Sequence, residues 1–374
     1  MDLFDMSYNA MVTVLLLFSC VFLVLPVPKG EGMQSFKYSL KFLSICYAII
    51  GLFCVFKHYI PKDLLGLPFF CNATVQAHFL GNTFINMVNP NAVKKRNILI
   101  LTLPAIIMII VNIIMIYIYG YSRITEYSDL ITYCFSAEKP YVFLRELMTL
   151  YYLAICIHYS VCFFIEVSRA KKRIDNYTSE AHYKSLTYLQ LSFTLVVAIA
   201  MSSIARTFSL SDLASSISNF VILINYIGVG LIFIQYPKNF YYLQEYYINT
   251  AVPDETKNVK DEMENWPQWK NKIIDEEIYK KPGLTIIQLA QILCTNRTTL
   301  STSINQNENV NFNSFINNLR INKAKELMSD NKLSLADICF QVGYTDQANF
   351  SRTFKNITGT TPLAWRRKLQ GTQS

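Results

Sequence analysis

Residues 335–354 read LADICFQVGYTDQANFSRTF, and residues 285–304 read TIIQLAQILCTNRTTLSTSI. In the later stretch Leu335, Ile338 and Val342 recur at helical spacing and stop at Gly343, a residue suited to a left-handed helix end. Asp346 then predicts the cap of a second helix carrying Phe350 and Phe354. The earlier stretch repeats the plan. Ile286, Leu289, Ala290 and Leu293 form one helix face, Cys294 and Thr295 make a turn, and Asn296 caps a helix running through Leu300 and Ile304. In both, the cap stands four residues before the first core residue of the second helix. Two short helices about a tight turn, written twice in one chain, predict tandem helix-turn-helix units.

Between them Phe312, Phe315, Ile316, Leu319, Ala324, Leu327 and Met328 follow the 3–4 spacing of one amphipathic helix. Some 20 residues at 1.5 Å each would make it roughly 30 Å long, near the 34 Å turn of DNA that separates successive major-groove faces. Helix-turn-helix geometry also serves purely structural domains; the tandem arrangement favours DNA. Charge agrees. From residue 281 onward Arg297, Arg320, Lys323, Lys325, Lys332, Arg352, Lys355, Arg366, Arg367 and Lys368 face only Glu308, Glu326, Asp330, Asp337 and Asp346. A basic end of that kind suits a polyanion, although a solvated basic face would read the same.

The stretch LTIIQLAQILCTNRTTLSTSINQ, continuing through NFNSFINNLRINKAKELM to SLADICFQVGYTDQANFSRTFKNITGTTPLAWRRK, resembles the DNA-binding domain of AraC/XylS-type transcription regulators. The likeness covers about residues 281–368. Its second half follows the family pattern closely at Ala336, Ile338, Gly343, Tyr344, Asp346, Phe350, Arg352, Phe354, Lys355, Gly359, Pro362 and Arg366. The first half departs from it: Cys294 and Asn309 stand where the family usually has glycine, though Asn tolerates the same backbone region. The resemblance implies a bacterial regulator without catalytic activity or cofactor, whose partners are double-stranded DNA and RNA polymerase, with a second copy of the chain as a further candidate. It implies base-reading side chains at Thr298, Ser301 and Thr302 in the first unit, and at Gln347, Asn349 and Arg352 in the second. Lys355, one turn beyond Arg352, is the expected phosphate contact. Arg352 has the geometry for two bonds to guanine, or for holding a phosphate.

The rest of the chain has a different composition. Over all 374 residues 52% are hydrophobic and 16% charged, against roughly 25% charged in soluble domains. Five runs without Asp, Glu, Lys or Arg, at 6–26, 98–119, 147–165, 186–205 and 213–236, approach or exceed the roughly 20 residues that span a bilayer. Residues 42–56 are shorter, but Lys41 and Lys57 can snorkel outward. Residues 64–88 contain Asn72, Gln76, His78, Asn82 and Asn86. Lys and Arg mark the cytoplasmic side. The rich loops (Lys29, Lys37, Lys41; Lys94, Lys95, Arg96; Arg169, Lys171, Lys172, Arg173, Lys184) share a side only if 64–88 crosses too. The expectation is therefore an all-α protein: a seven-helix transmembrane bundle over 1–237 with its N-terminus outside, a juxtamembrane linker over 238–267, and a cytoplasmic AraC-type domain over 268–374. It would lie in the bacterial inner membrane. The acidic N-terminus (Asp2, Asp5) argues against a cleaved signal peptide.

Asn72, Gln76, His78, Asn82 and Asn86 share one half of their helix, which must face other helices in lipid. They form a pocket for a small-molecule or membrane-borne signal, or hydrogen bonds that hold the bundle together. Cys71 and Cys134 would share the oxidising side, either bridged or as free thiols. The nine cysteines include no CxxC pair, and His58, His78, His158 and His182 lack ligand spacing, so no metal site is signalled. Two other readings stay open: a transporter or membrane enzyme with a DNA-binding reporter, and a regulator whose membrane part is a passive anchor.

Overall fold

The computed structural model describes residues 3–25, 67–89, 95–120, 126–180, 184–207, 216–231 and 265–371, apart from single positions within them, and a few isolated residues besides. These residues are helical almost throughout, with one isolated antiparallel bridge between Thr178 and Thr285. The chain divides into two compact units. One comprises Met1–Ser168 and Lys184–Gln244; the other comprises Arg169–Tyr183 and Glu245–Ser374.

The first unit contains α1 (Leu3–Val24), α2 (Leu67–Val88), α3 (Lys95–Tyr119), α4 (Tyr127–Cys134), most of α5 (Pro140–Tyr177), α6 (Lys184–Thr207) and α7 (Ser216–Leu231). Three described segments are long and apolar enough to cross a membrane: Ile100–Tyr119, Pro140–Tyr177 and Leu186–Ala205. Thr13–Val24 and Ser216–Leu231 are shorter apolar helices. The proposed span at 42–56 lies outside the described residues apart from Ile45 and Ala48. Helix α3 leaves Ile106, Ile107, Ile110, Ile113 and Ile114 about half exposed.

The ambiguous third segment is one unbroken helix, α2, packed against α3 and α6. Its polar residues are largely consumed between helices. His78 Nδ1 lies 3.0 Å from the Tyr159 hydroxyl, Asn82 donates to the same oxygen at 3.0 Å, and the Tyr226 hydroxyl donates to Gln76 Oε1 at 2.9 Å. Gly81 allows the approach: a Cβ there would fall 2.3 Å from the Tyr159 ring. Beside them Gln76, Gly81, Tyr152 and Tyr159 line a cavity of about 40 Å³, room for water rather than for the 300–1,000 Å³ of a typical ligand pocket. Asn86 Oδ1 is buried without a partner among the described residues, and the Asn72 side chain lies outside them. Cys71 and Cys134 are free thiols, and Cys134 donates to Glu146 instead of pairing with Cys71.

The second unit contains the end of α5, then α8 (Trp266–Asp275), a 3₁₀ turn at Ile278–Lys280, α9 (Ile286–Ile292), α10 (Arg297–Glu308), α11 (Phe312–Leu327), α12 (Leu335–Gln341), α13 (Gln347–Thr358) and α14 (Pro362–Gly371). It has two cores, and α11 serves both. Phe312, Phe315 and Ile316 join Trp266, Trp269, Leu289, Leu300, Ile304 and Tyr177 in the first. Ile321, Ala324 and Met328 join Ile338, Val342, Phe350 and Phe354 in the second, with Trp365 packed against it. Helix α11 is shorter than its apolar pattern suggests, at 16 residues or about 24 Å. Asn311 caps its start through Ser314 N at 2.9 Å. Met328 closes its end, leaving the last apolar residue of the stripe outside the helix.

Candidate nucleic-acid interface

Each helix-turn-helix unit is set by local chemistry. In the first, Thr285 and Gln288 form a capping box at the start of α9, Thr285 Oγ1 accepting from Gln288 N and Gln288 Oε1 from Thr285 N. In the second, Ser334 and Asp337 do the same for α12. Such a box satisfies two of the amides that a helix start leaves unpaired.

Both first helices end in the same way. Cys294 (φ +56°) and Gly343 (φ +97°) are left-handed. Thr295 N donates to Ala290 O at 2.9 Å, and Tyr344 N to Cys339 O at 3.1 Å. These are the six-to-one bonds of a Schellman turn. The expected caps follow. Asn296 Oδ1 accepts from Thr299 N at 2.8 Å, and Asp346 Oδ1 from Asn349 N at 2.7 Å. Helices α10 and α13 then end on left-handed residues, Asn309 (φ +54°) and Gly359 (φ +77°).

The recognition helices bury one side and present the other. In α13 Phe350 and Phe354 are buried, while Gln347, Arg352 and Lys355 are exposed and Asn349 is half-buried. In α10 Leu300 and Ile304 are buried, Thr298 is exposed, and Ser301 and Thr302 are half-buried. Each set therefore shares a helix with its core anchors without being consumed by the core.

The basic inventory needs one correction. Arg320 does not face a polyanion: it is fully buried. Its Nε donates to Tyr279 O at 2.7 Å and its Nη2 to Lys281 O at 2.8 Å, and its guanidinium lies 5.2 Å from the Tyr344 ring centroid. Burial draws its pKa below the ordinary arginine value, while the neighbouring Tyr344 and Glu180 pull the other way. Lys323 pairs with Glu326, and Lys325 sits over Trp365. Lys332, Arg352, Lys355, Arg367 and Lys368 are the exposed basic residues of the second helix-turn-helix unit and the helix that follows it.

A second set of residues escaped the sequence reading. Thr178, Ser179 and Glu180, following α5, are buried against this domain. Ser179 N donates to Leu284 O at 2.9 Å, Asn313 Nδ2 to Thr178 O at 2.9 Å, and Asn317 Nδ2 to Ser179 O at 3.0 Å. Glu180 Oε1 accepts from Gly283 N at 3.2 Å and lies 3.5 Å from Arg320, while Oε2 accepts from the Thr345 amide and hydroxyl. The nearest signal in the sequence was Arg320 itself, four residues after Ile316 and thus on the apolar stripe of α11.

This geometry is that of a tandem helix-turn-helix domain, and residues 289–368 match the family described as "Helix-turn-helix domain". The C-terminal part of the chain thus carries a DNA-binding domain of the AraC type. The "Msm operon regulatory protein" of Streptococcus mutans is 30% identical over 88 residues, 24% of this chain and 32% of that one. An "Uncharacterized HTH-type transcriptional regulator" of Staphylococcus aureus is 30% identical over 97 residues, 26% and 13% of the two chains. A "Histidine kinase P4" of Formosa agariphila is 28% identical over 106 residues, 25% and 8%. The chain thus spans a third or less of the length of these relatives. The solved C-terminal domain of AraT, a response regulator from Geobacillus stearothermophilus, is 27% identical, covering 31% of this chain and 88% of that one with a TM-score of 0.25.

Proposed function

We propose that this chain is a membrane-integral, one-component transcription regulator of the bacterial inner membrane. Its apolar helices form a seven-span sensor domain with the N-terminus outside, and its cytoplasmic tandem helix-turn-helix domain binds DNA sequence-specifically. The observation that carries the reading is the presence, in one chain, of two capped recognition helices with exposed polar faces and several helices long and apolar enough to span a bilayer. Thr298, Ser301 and Thr302 read one major-groove segment, and Gln347, Asn349 and Arg352 the next, as a direct repeat about one turn away. Lys355 holds phosphate. RNA polymerase and a second copy of the chain are the protein partners, and the reading requires no catalysis. The packing of residues 178–180 on the DNA-binding domain supports the sidedness inferred from the basic loops, because a loop and a domain that touch lie on one side of a bilayer.

The interhelical bonds of Gln76, His78 and Asn82 favour a structural role for the α2 polar face, so the signal would enter through rearrangement of that network. The full chain in lipid nanodiscs should bind duplex DNA with an affinity that falls steeply as salt rises. A periplasm-dependent reporter should work when fused at Tyr127 and fail at Asn176. Loss of the first result removes the DNA reading; the reverse of the second removes the topology.

A further inference from the structure

Three residues between α5 and α6 occupy the seam of the DNA-binding domain. Helix α5 continues to Tyr177, whose ring joins the first core, and residues 178–180 then lie along the start of the first unit. Thr178 bridges to Thr285, the N-cap of α9. The Glu180 carboxylate reaches both units at once: Gly283 on the approach to the first, and Thr345 in the turn of the second. Thr345 directly precedes Asp346, the cap of recognition helix α13.

The two units differ at this point. From the left-handed residue to the cap is two steps in the first unit, Cys294 to Asn296, and three in the second, Gly343 to Asp346. The extra residue is Thr345, and both its amide and its hydroxyl donate to Glu180. Beneath it Arg320, Asn317 and Tyr344 complete the seam: the Tyr344 hydroxyl donates to Asn317 Oδ1 at 2.6 Å, and Asn317 holds Ser179 O. Glu180 is 3% exposed and Arg320 is wholly buried. A buried carboxylate needs such a partner set, and a buried guanidinium needs the carboxylate.

We propose that residues 178–180 act as a latch, with Glu180 tying the two helix-turn-helix units into one fixed relative placement and coupling that placement to the end of α5. The inference rests on the DNA-binding reading and extends it. Docked, the latch holds both recognition helices in register with one face of a duplex. Released, it leaves them joined through α11 and the close packing of Gly343 on the Lys280 backbone, and the pair tolerates a wider range of half-site separations. A signal acts by changing the balance of the two states, as any effector must.

The test uses the full chain in lipid nanodiscs and a pool of random duplexes about four helical turns long. Wild type is expected to enrich two half-sites at one spacing. Glu180→Ala is expected to enrich the same half-sites with the spacing spread over several base pairs, and to bind the wild-type pair about tenfold more weakly. Glu180→Gln and Thr345→Val, the latter leaving the Arg320–Glu180 pair in place, should spread the spacing to a smaller degree. Amide exchange distinguishes a released latch from an unfolded domain: Gly283 and Thr345 should exchange faster, while Thr299 and Asn349, held by their own caps, stay protected. Wild-type spacing in Glu180→Gln and Thr345→Val, or in a folded Glu180→Ala, overturns the latch. A wild-type chain that enriches no sequence overturns the DNA reading, and the latch with it.

Discussion

The two helix-turn-helix units share a backbone plan and differ in how they fill it. Both first helices start with a capping box and end in a Schellman turn, and both second helices are capped by a side-chain oxygen and end on a left-handed residue. The second unit uses glycine at both left-handed positions; the first uses Cys294 and Asn309. Surroundings account for the first of these choices. A Cβ on Gly343 would come within 2.3 Å of Lys280 O, so backbone approach and positive φ both demand glycine there. Cys294 has the same sign of φ on an exposed surface, where a side chain costs only local strain. Turn geometry thus belongs to the motif, whereas the stringency of its residue belongs to what packs on the turn.

Gly343→Ala should have the largest effect on this turn. Left-handed strain and the clash with Lys280 together should cost about 3 kcal/mol, read as a fall in the denaturation midpoint of the helix-turn-helix domain. A change below that of an ordinary surface substitution would show that the Lys280 contact is dispensable. Next in size is the contrast between the reading helices. Arg352→Ala should weaken binding to the selected DNA by about 1–3 kcal/mol and relax preference at one position. Thr302→Ala, removing one neutral hydrogen bond, should cost about 1 kcal/mol. Lys355→Ala should weaken all sequences together and reduce the salt slope by about one. Cys294→Gly works in the opposite sense: relief of strain, partly offset by a more flexible unfolded chain, should stabilise the domain by up to about 1 kcal/mol.

The smallest effect separates the capping boxes. Asp337 is held below the usual carboxylate range by its hydrogen bonds to the Ser334 side chain and backbone, whereas Gln288 does not titrate. A carboxyl with a depressed folded-state pKa contributes stability above its unfolded value, near 4, and loses it as pH falls through the folded value. The melting difference between the parent and Asp337→Asn should therefore shrink on acidification below about pH 4. Gln288→Asn should give a difference independent of pH over the same range.

The features legible in the sequence are those whose causes lie within a few residues. Asn296, Asp346 and Gly343 announce themselves because a cap or a left-handed stop bonds to amides and carbonyls three to five positions away. Ser334 and Asp337, three residues apart at a helix start, carry the same kind of local signal as a capping box. Arg320 was counted with the basic surface because charge alone says nothing of direction; only its place on the α11 stripe did. Glu180 lay beyond reach. It sits in what reads as a solvated basic loop, and its partners stand 103 to 165 residues further along the chain. The polar face of α2 was legible as a face, but not as one whose members bond to Tyr159 and Tyr226, since neither tyrosine stands out among 24.

The chain's three tryptophans are Trp266, Trp269 and Trp365. The first two are built into one core of the DNA-binding domain and the third packs on the other, while no tryptophan lies among residues 1–265. Intrinsic indole emission from the intact chain therefore originates entirely in the helix-turn-helix domain, without label or truncation. Replacing Trp365 by Phe leaves a signal from the first core, and replacing Trp266 and Trp269 leaves one from the second. The two halves of the seam become separately visible by colour and quenching, so an event that loosens one unit before the other can be timed in the intact chain.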